Sequence, residues 1–119
     1  MSKRRLAREN CLQSLYSSDV AKLEPASVLA SFQMEEFAEE AKVFDFYKEL
    51  YTATVNNIPR IDEIIKKTSL NWELDRMPAI DRSILRMAVC EMMILPGTPV
   101  AVIIDEAIEL AKKYSTEKS

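Results

Sequence analysis

The fold class is decided by residues 78–97, PAIDRSILRMAVCEMMILPG. The apolar residues of this stretch recur at intervals of three and four, which predicts one buried face of a helix; they are Ile80, Ile84, Met87, Ala88 and Met92. Pro78 is acceptable in a first helical turn, and Pro96-Gly97 is a strong stop signal. The stretch is therefore predicted to be a helix that lies between two prolines.

The segments on both sides of this stretch also carry helical patterns. Before it, helices are predicted over residues 3–17, from Pro25 onward and over 41–57, and Pro59 then leads into a kinked or separate helix. After it, Thr98 is predicted to be the N-cap and Pro99 the first residue of a last helix. No segment shows the sustained two-residue alternation of a strand. We therefore expect an all-α, compact helical bundle in which residues 1–119 form a single domain.

The composition excludes several classes of function. The 119 residues are 48% apolar and 29% charged, which is typical of a globular protein, but they include one glycine and no histidine. Glycine-rich phosphate loops, dinucleotide-binding motifs and histidine-based catalysis are therefore not expected. We find no catalytic constellation, no metal site and no cofactor motif, and we predict that the protein is not an enzyme.

Two further features bear on the compartment. Cys11 and Cys90 lie far apart in a chain without a secretory signal, so we expect reduced, buried thiols in a cytoplasmic protein. The longest apolar run, Met87 to Leu95, is interrupted by Glu91 and is too short to span a membrane. No membrane association is expected.

Positive charge is concentrated at the N-terminus, although the net charge is −3. Lys3, Arg4, Arg5 and Arg8 precede the first acidic residue, and the three arginines are spaced so that they can form a cluster on one side of a helix. Cations near a helix N-terminus oppose the macrodipole, at a cost of about 0.3–1 kcal/mol each. This placement indicates an anionic partner, although a basic end that only keeps the protein soluble is the plainer alternative.

Gln13 and Tyr16 follow the arginines on the same predicted helix. They offer an amide and an aromatic face, and together with arginine forks this combination suits single-stranded RNA. For Tyr16 alone, packing in the core or in an interface is an equally good interpretation. The acids of the last helix, Asp105, Glu106 and Glu109, are interpreted as a solvated face, with Glu109 pairing with Lys112 or Lys113.

Three motifs in order resemble the NusB family of bacterial antitermination factors. They are RRLARENCLQSLY at residues 4–16, WELDRMPAIDRSILRMA at 72–88 and PVAVIIDEAIELAK at 99–112. The resemblance implies an all-helical RNA-binding protein built from two packed helical subdomains. It also implies that the protein binds the boxA element of nascent RNA together with the ribosomal protein NusE. The complex would join RNA polymerase and other Nus factors and suppress termination in ribosomal RNA operons.

The resemblance also assigns roles to particular residues. Arg4, Arg5 and Arg8 match the RNA-contacting segment, and Tyr16 matches an aromatic position near both RNA and partner. Asp81 matches an acidic position near the RNA and partner surface. The remaining candidates for RNA contact are Gln13, Arg82 and Arg86, of which the last two either extend the basic path or pair with glutamates in the bundle. A homodimer is left open.

The sequence departs from the family pattern in three places. Asp105 stands where the family commonly has Asn, and Lys118 stands where an acidic residue is frequent. Family members usually continue beyond Tyr114 into a further helix, so we expect an apolar groove here that a longer chain or another chain would cover. Two other functions are considered: an RNA-binding accessory domain of a ribosomal RNA cytosine methyltransferase, which requires a longer parent chain, and a helical protein-interaction adaptor that uses its acidic face.

Overall fold

The computed structural model describes residues 3–33, 41–68, 73–95 and 97–115, and these ranges are helical apart from short connections. The helices are α1 (Lys3–Ala21), α2 (Pro25–Gln33), α3 (Ala41–Val55), α4 (Ile58–Thr68), α5 (Ala79–Met93) and α6 (Val100–Tyr114), with a 3₁₀ turn at Leu74–Arg76. The all-α prediction is therefore confirmed for the described residues, while Pro96 and Lys118 lie outside them. None of the helices in these ranges is long and apolar enough to cross a membrane.

Helix α1 is four residues longer than predicted. The prediction that this helix ends at residue 17 is wrong, because Ser18 and Asp19 find hydrogen-bond partners within α1 and on α5. Ser18 donates to the Ser14 carbonyl oxygen at 2.9 Å, and Asp19 accepts from Arg82 at 2.7 Å. The helix ends at Ala21, and the next residue, Lys22, adopts a left-handed φ of 58°.

The structure decides how the two helices that follow prolines, α4 and α6, begin. Pro59 lies in the first turn of a separate helix α4, which decides between the kinked and the separate alternatives. The prediction that Thr98 caps the last helix is wrong, because Pro99 occupies the cap position and makes no side-chain cap bond. Thr98 Oγ1 instead accepts a hydrogen bond from Arg4 at 3.3 Å.

Helices α1 and α5 hold the bundle together. Helix α1 contacts α2, α3 and α5, and α5 also contacts α3, α4 and α6. Two groups of helices, α1–α3 and α4–α6, are therefore in contact through α1, α3 and α5. The shared core includes Leu12, Tyr47, Tyr51, Ile61 and Met87, together with Cys11 and Cys90, which are buried as predicted.

A mainly apolar groove of about 290 Å³ lies between α5 and α6. Its lining consists of Met77, Asp81, Ile84, Leu85 and Ala111. Beside it, α6 exposes large apolar side chains one turn apart, at Val100, Ile104 and Ile108. The sequence candidate Asp81 lies in this groove.

Candidate nucleic-acid interface

The arginines at the start of α1 contact three different elements of the bundle. Arg4 is exposed and stacks on Phe46 of α3, with 4.4 Å between its Cζ atom and the ring centroid. At this distance a guanidinium is attracted to the face of the ring. Because Arg4 also bonds to Thr98, its position at the surface is fixed from two sides.

Arg5 forms a two-bond ion pair with Glu106 of α6. Its Nε donates to Oε1 at 3.0 Å, and its Nη2 donates to Oε2 at 2.7 Å. These hydrogen bonds lower the pKa of Glu106 and raise the pKa of Arg5. The side chain of Arg5 is 38% exposed, so it stays partly accessible to solvent.

Arg8 is buried against Glu91 of α5. Its Nε donates to Oε1 at 2.9 Å and its Nη2 bonds to Oε2, and the two side chains are only 5% and 3% exposed. Arg8 does lie close to the other two arginines, since it shares Phe46 with Arg4 and Glu106 with Arg5, but it is buried where they are not. A buried charge requires a close counter-charge, and the protein supplies one itself. Direct contact of Arg8 with RNA stays a prediction.

The later arginines are also paired within the bundle. Nε and Nη2 of Arg82 both donate to Asp19 Oδ2, at 2.9 and 2.7 Å, which ties α5 to the end of α1. Arg86 bonds to both oxygens of Asp62 on α4, at 2.9 and 2.8 Å. Of the two alternatives for these residues, internal pairing is the observed one, but with aspartates instead of glutamates. Their contact with RNA stays a prediction.

Gln13 and Tyr16 lie on the outer side of α1. Both are exposed, and Tyr16 is 38% accessible, so core packing does not account for it. Tyr16 follows Arg5 by three helical turns, about 16 Å along the axis, and faces nearly the same direction. The partly exposed Arg5 and the exposed Gln13 and Tyr16 are together called the α1 strip below, with Arg4 at its N-terminal end; Glu9 and Leu12, which lie between Arg5 and Tyr16 on this side of the helix, are buried.

Three residues that organise this region were not singled out as site residues from the sequence: Phe46, Glu91 and Glu106. The position of Glu91 inside the apolar run Met87–Leu95 indicates an internal ion pair, because a buried carboxylate needs a nearby cation. Glu106 was interpreted as part of a solvated face, since spacing along α6 carries no information about α1. The pairing of Glu109 with Lys112 is confirmed at 3.6 Å, whereas Lys113 binds Glu9 at 2.7 Å.

A comparison with known protein families shows to which family the chain belongs. The model of the NusB family matches residues 5–119. The chain belongs to the NusB family. Among its relatives, the transcription antitermination protein NusB of Elusimicrobium minutum is 45% identical over all of this chain and 86% of its own length. The NusB of Bacillus licheniformis is 41% identical over 98% of this chain and 87% of its own length.

Solved structures of NusB proteins have the same architecture. A crystal structure of the antitermination factors NusB and NusE in complex with double-stranded RNA contains a chain that is 27% identical. Its TM-score is 0.87, with 99% of this chain and 87% of that chain covered. The solution structure of NusB from Aquifex aeolicus gives 0.81 at 28% identity, covering 99% of this chain and 80% of that one. The resemblance found in the sequence is therefore confirmed.

Proposed function

We propose that this NusB-family chain is a transcription antitermination factor that binds RNA together with NusE. The observation that carries the proposal is the α1 strip, which presents Arg5, Gln13 and Tyr16 to solvent beside the exposed Arg4. The similarity to a NusB chain solved with NusE and RNA supports the same partners. In finer detail, we propose boxA RNA of ribosomal RNA operons as the target, within an RNA polymerase complex that contains other Nus factors.

Each residue of the strip has a role that follows from its chemistry. Arg4 and the partly exposed Arg5 neutralise phosphates, while Tyr16 offers an aromatic face on which an unpaired base stacks. Gln13 lies between them and can hydrogen-bond a base edge, because its amide both donates and accepts. Phosphate contacts fix the position of the strand, and the contacts of Gln13 and Tyr16 with bases supply any preference for sequence.

Ion pairs within the bundle hold α1 in the position that presents this surface. The Arg8–Glu91 pair fixes the first turns of α1 on α5, and the Arg82–Asp19 pair fixes the last turns. We propose that Arg8, Arg82 and Arg86 affect RNA affinity by holding α1 in place. Residues that are packed in this way present a binding surface more accurately than a freely moving basic tail.

For NusE, we propose contacts at Tyr16 and Asp81. Asp81 is partly buried in the groove between α5 and α6, where a protein partner can bury it further and supply a cation. Asp81→Asn is therefore expected to weaken NusE binding, while RNA binding in the absence of NusE stays the same. If NusE binds the variant as tightly as the unchanged protein, Asp81 is not part of that surface.

The decisive experiment measures RNA affinity at several salt concentrations, with a boxA oligonucleotide and a scrambled control, with and without NusE. We expect NusE to raise the affinity for boxA RNA, and RNA to raise the affinity for NusE by the same factor. Arg4→Ala is expected to flatten the plot of log affinity against log salt by about 0.7 per lost phosphate contact. The matched control is Arg60→Ala, an exposed arginine on α4.

Two outcomes would overturn the proposal. One is equal affinity for boxA and scrambled RNA in the presence of NusE, which is what a protein-interaction adaptor would give. The other is an equal change in salt dependence for Arg4→Ala and Arg60→Ala, since this would mean that the charge of Arg4 acts without a defined contact.

A further inference from the structure

The ring of Phe46 on α3 contacts two arginines of α1 that differ completely in exposure. Cζ of the exposed Arg4 lies 4.4 Å from the ring centroid, and Cζ of the buried Arg8 lies 5.3 Å from it. Both distances are within about 6 Å, where a cation is attracted to the face of an aromatic ring. Because Arg8 is paired with Glu91, the ring joins an exposed cation to a buried ion pair of the core.

The contact with Phe46 holds Arg4 in a different way from the contact that holds its neighbour Arg5. Arg5 is held by Glu106, whose carboxylate compensates the charge that it holds. An aromatic ring attracts a cation through its quadrupole but carries no net charge. The ring can therefore fix the position of Arg4 without compensating its charge, and a cation that binds a phosphate requires this combination.

A second contact to Arg4 comes from the connection between α5 and α6. Nη1 of Arg4 donates to Thr98 Oγ1 at 3.3 Å. Gly97, which precedes Thr98, has a φ of 114°, a value that glycine adopts much more readily than other residues. Arg4 lies in the first turn of α1, where a helix by itself tends to fray. Two uncharged side chains, one from α3 and one from this connection, thus hold it at a position that the helix alone would fix poorly.

Holding the side chain in advance matters because an arginine has many rotamers. An unrestrained arginine loses this freedom when it contacts a phosphate, and the loss weakens binding about twofold to tenfold. If contacts within the protein have already restricted the rotamers, most of this loss occurs during folding instead. The guanidinium of Arg4 then meets the RNA in a position that the fold has set.

We propose that Phe46 is a positioning residue for RNA binding, which holds the guanidinium of Arg4 where it contacts a phosphate of the strand. Thr98 assists in the same role with a smaller effect, because its hydrogen bond is long. Phe46 acts through Arg4, without touching the RNA itself. The inference rests on the proposed function, since it assigns the preorganisation of that RNA-binding surface to a residue outside α1.

The test compares Phe46→Leu with Phe46→Tyr in the full chain, with a boxA oligonucleotide as the probe and NusE present. Leucine keeps an apolar side chain but removes the ring, so RNA binding should weaken about twofold to tenfold. Tyrosine keeps the face of the ring and should bind RNA as tightly as the unchanged protein. The matched control is Phe44→Leu, which removes a ring of the same helix that packs against Tyr47 at 5.9 Å and should leave RNA affinity unchanged.

Two readouts separate positioning from a general structural role. In a chain that already carries Arg4→Ala, Phe46→Leu should cause no further loss of RNA affinity, because the group that it positions is gone. Phe46→Leu should also leave the salt dependence unchanged, since Arg4 keeps its charge, whereas Arg4→Ala flattens it. The ring also contacts Arg8, so RNA binding is measured well below the melting temperature of each variant.

A third measurement tests the contact in the absence of RNA and so separates this inference from the proposed function. The ring current of Phe46 should shift the NMR signals of the Arg4 side chain in the free protein, and Phe46→Leu should remove this shift. If the shift is found but the chain binds no RNA, the proposed function fails and the positioning role fails with it. If Arg4→Ala weakens RNA binding and Phe46→Leu does not, the proposed function stands and only the positioning role is overturned.

Two further outcomes would overturn the positioning role. One is an equal loss of RNA affinity on Phe46→Leu in the presence and absence of Arg4, which is what a purely structural role would give. The other is a loss of RNA affinity in Phe46→Tyr as large as that in Phe46→Leu, since tyrosine keeps the ring that holds the guanidinium.

Discussion

Arg8 and Glu91 face each other inside the bundle and form a two-bond ion pair that joins α1 to α5. Both side chains are almost completely removed from solvent. The pair explains two features of the sequence: a third arginine at the basic start of α1, and a carboxylate inside the apolar run Met87–Leu95. The unfavourable interaction of Arg8 with the dipole of α1 is thus compensated by a carboxylate of the protein itself.

Breaking this pair is expected to destabilise the fold strongly. Arg8→Ala or Glu91→Ala leaves one buried charge alone, and we expect each to lower the free energy of unfolding by about 3–5 kcal/mol. Arg8→Met combined with Glu91→Leu should recover most of this loss, because the double variant leaves no charge unpaired. Chemical denaturation measures all three. The control is Arg76→Ala, which removes an exposed pair with Glu73 and should cost no more than about 1 kcal/mol.

Tyr16 is expected to affect RNA binding without affecting stability. Stacking of a base on an aromatic side chain contributes about 1–3 kcal/mol, so Tyr16→Ala should weaken RNA binding about fivefold to a hundredfold. Tyr16→Phe keeps the ring and should bind nearly as well. Because the side chain is exposed, the melting temperature of both variants should stay close to that of the unchanged protein. Equal RNA affinity of Tyr16→Ala and Tyr16→Phe would argue against stacking.

The Arg5–Glu106 pair should make stability sensitive to acid. The hydrogen bond from Arg5 lowers the pKa of Glu106 below its ordinary value of 4.5. The stabilisation is therefore fully present above pH 4.5, and it is lost as the pH falls through the lower native pKa. Denaturation at a series of acidic pH values should show that the free energy of unfolding falls less steeply for Glu106→Gln than for the unchanged protein. Glu109→Gln, on the same helix, is the matched control, and an unchanged decline in Glu106→Gln would contradict the assignment.

Tyr47 should make stability sensitive to alkali. Burial is the main cause that raises its pKa from 10.0 to about 12. The unfolded chain therefore loses this proton first, so the contribution of Tyr47 is complete below pH 10.0 and disappears as the pH approaches about 12. Tyr47→Phe should flatten this alkaline decline, and an absorbance titration should lack one late-titrating phenol. Loss of an ordinary, early-titrating phenol would contradict the prediction.

The two cysteines should be unreactive in the folded protein. Burial raises the pKa of Cys11 well above its ordinary value and also raises the pKa of Cys90, so little thiolate forms in either case. A thiol reagent should modify both residues only as fast as the chain unfolds, and should modify both at once in denaturant. Rapid reaction of either thiol without denaturant would mean that α1 separates from the core locally.

The helices could be predicted from the sequence because their signals are local. The spacing of Ile80, Ile84 and Met87 and the prolines at the helix starts are visible within one or two turns. The end of α1 was missed, since Asp19 is stabilised by Arg82, which lies 63 residues away in the chain. Thr98 was misassigned for a similar reason, because its hydroxyl bonds to Arg4 across the bundle.

By itself, the sequence determined that this chain is helical, that it carries a basic and aromatic segment at its start, and that it resembles the NusB family. These properties depend on composition, spacing and the order of motifs. Only the tertiary structure decided which arginines face solvent, because burial of Arg8 depends on a carboxylate 83 residues away. The sequence gives the charge of each residue, but the partner that neutralises each charge depends on which helices pack together.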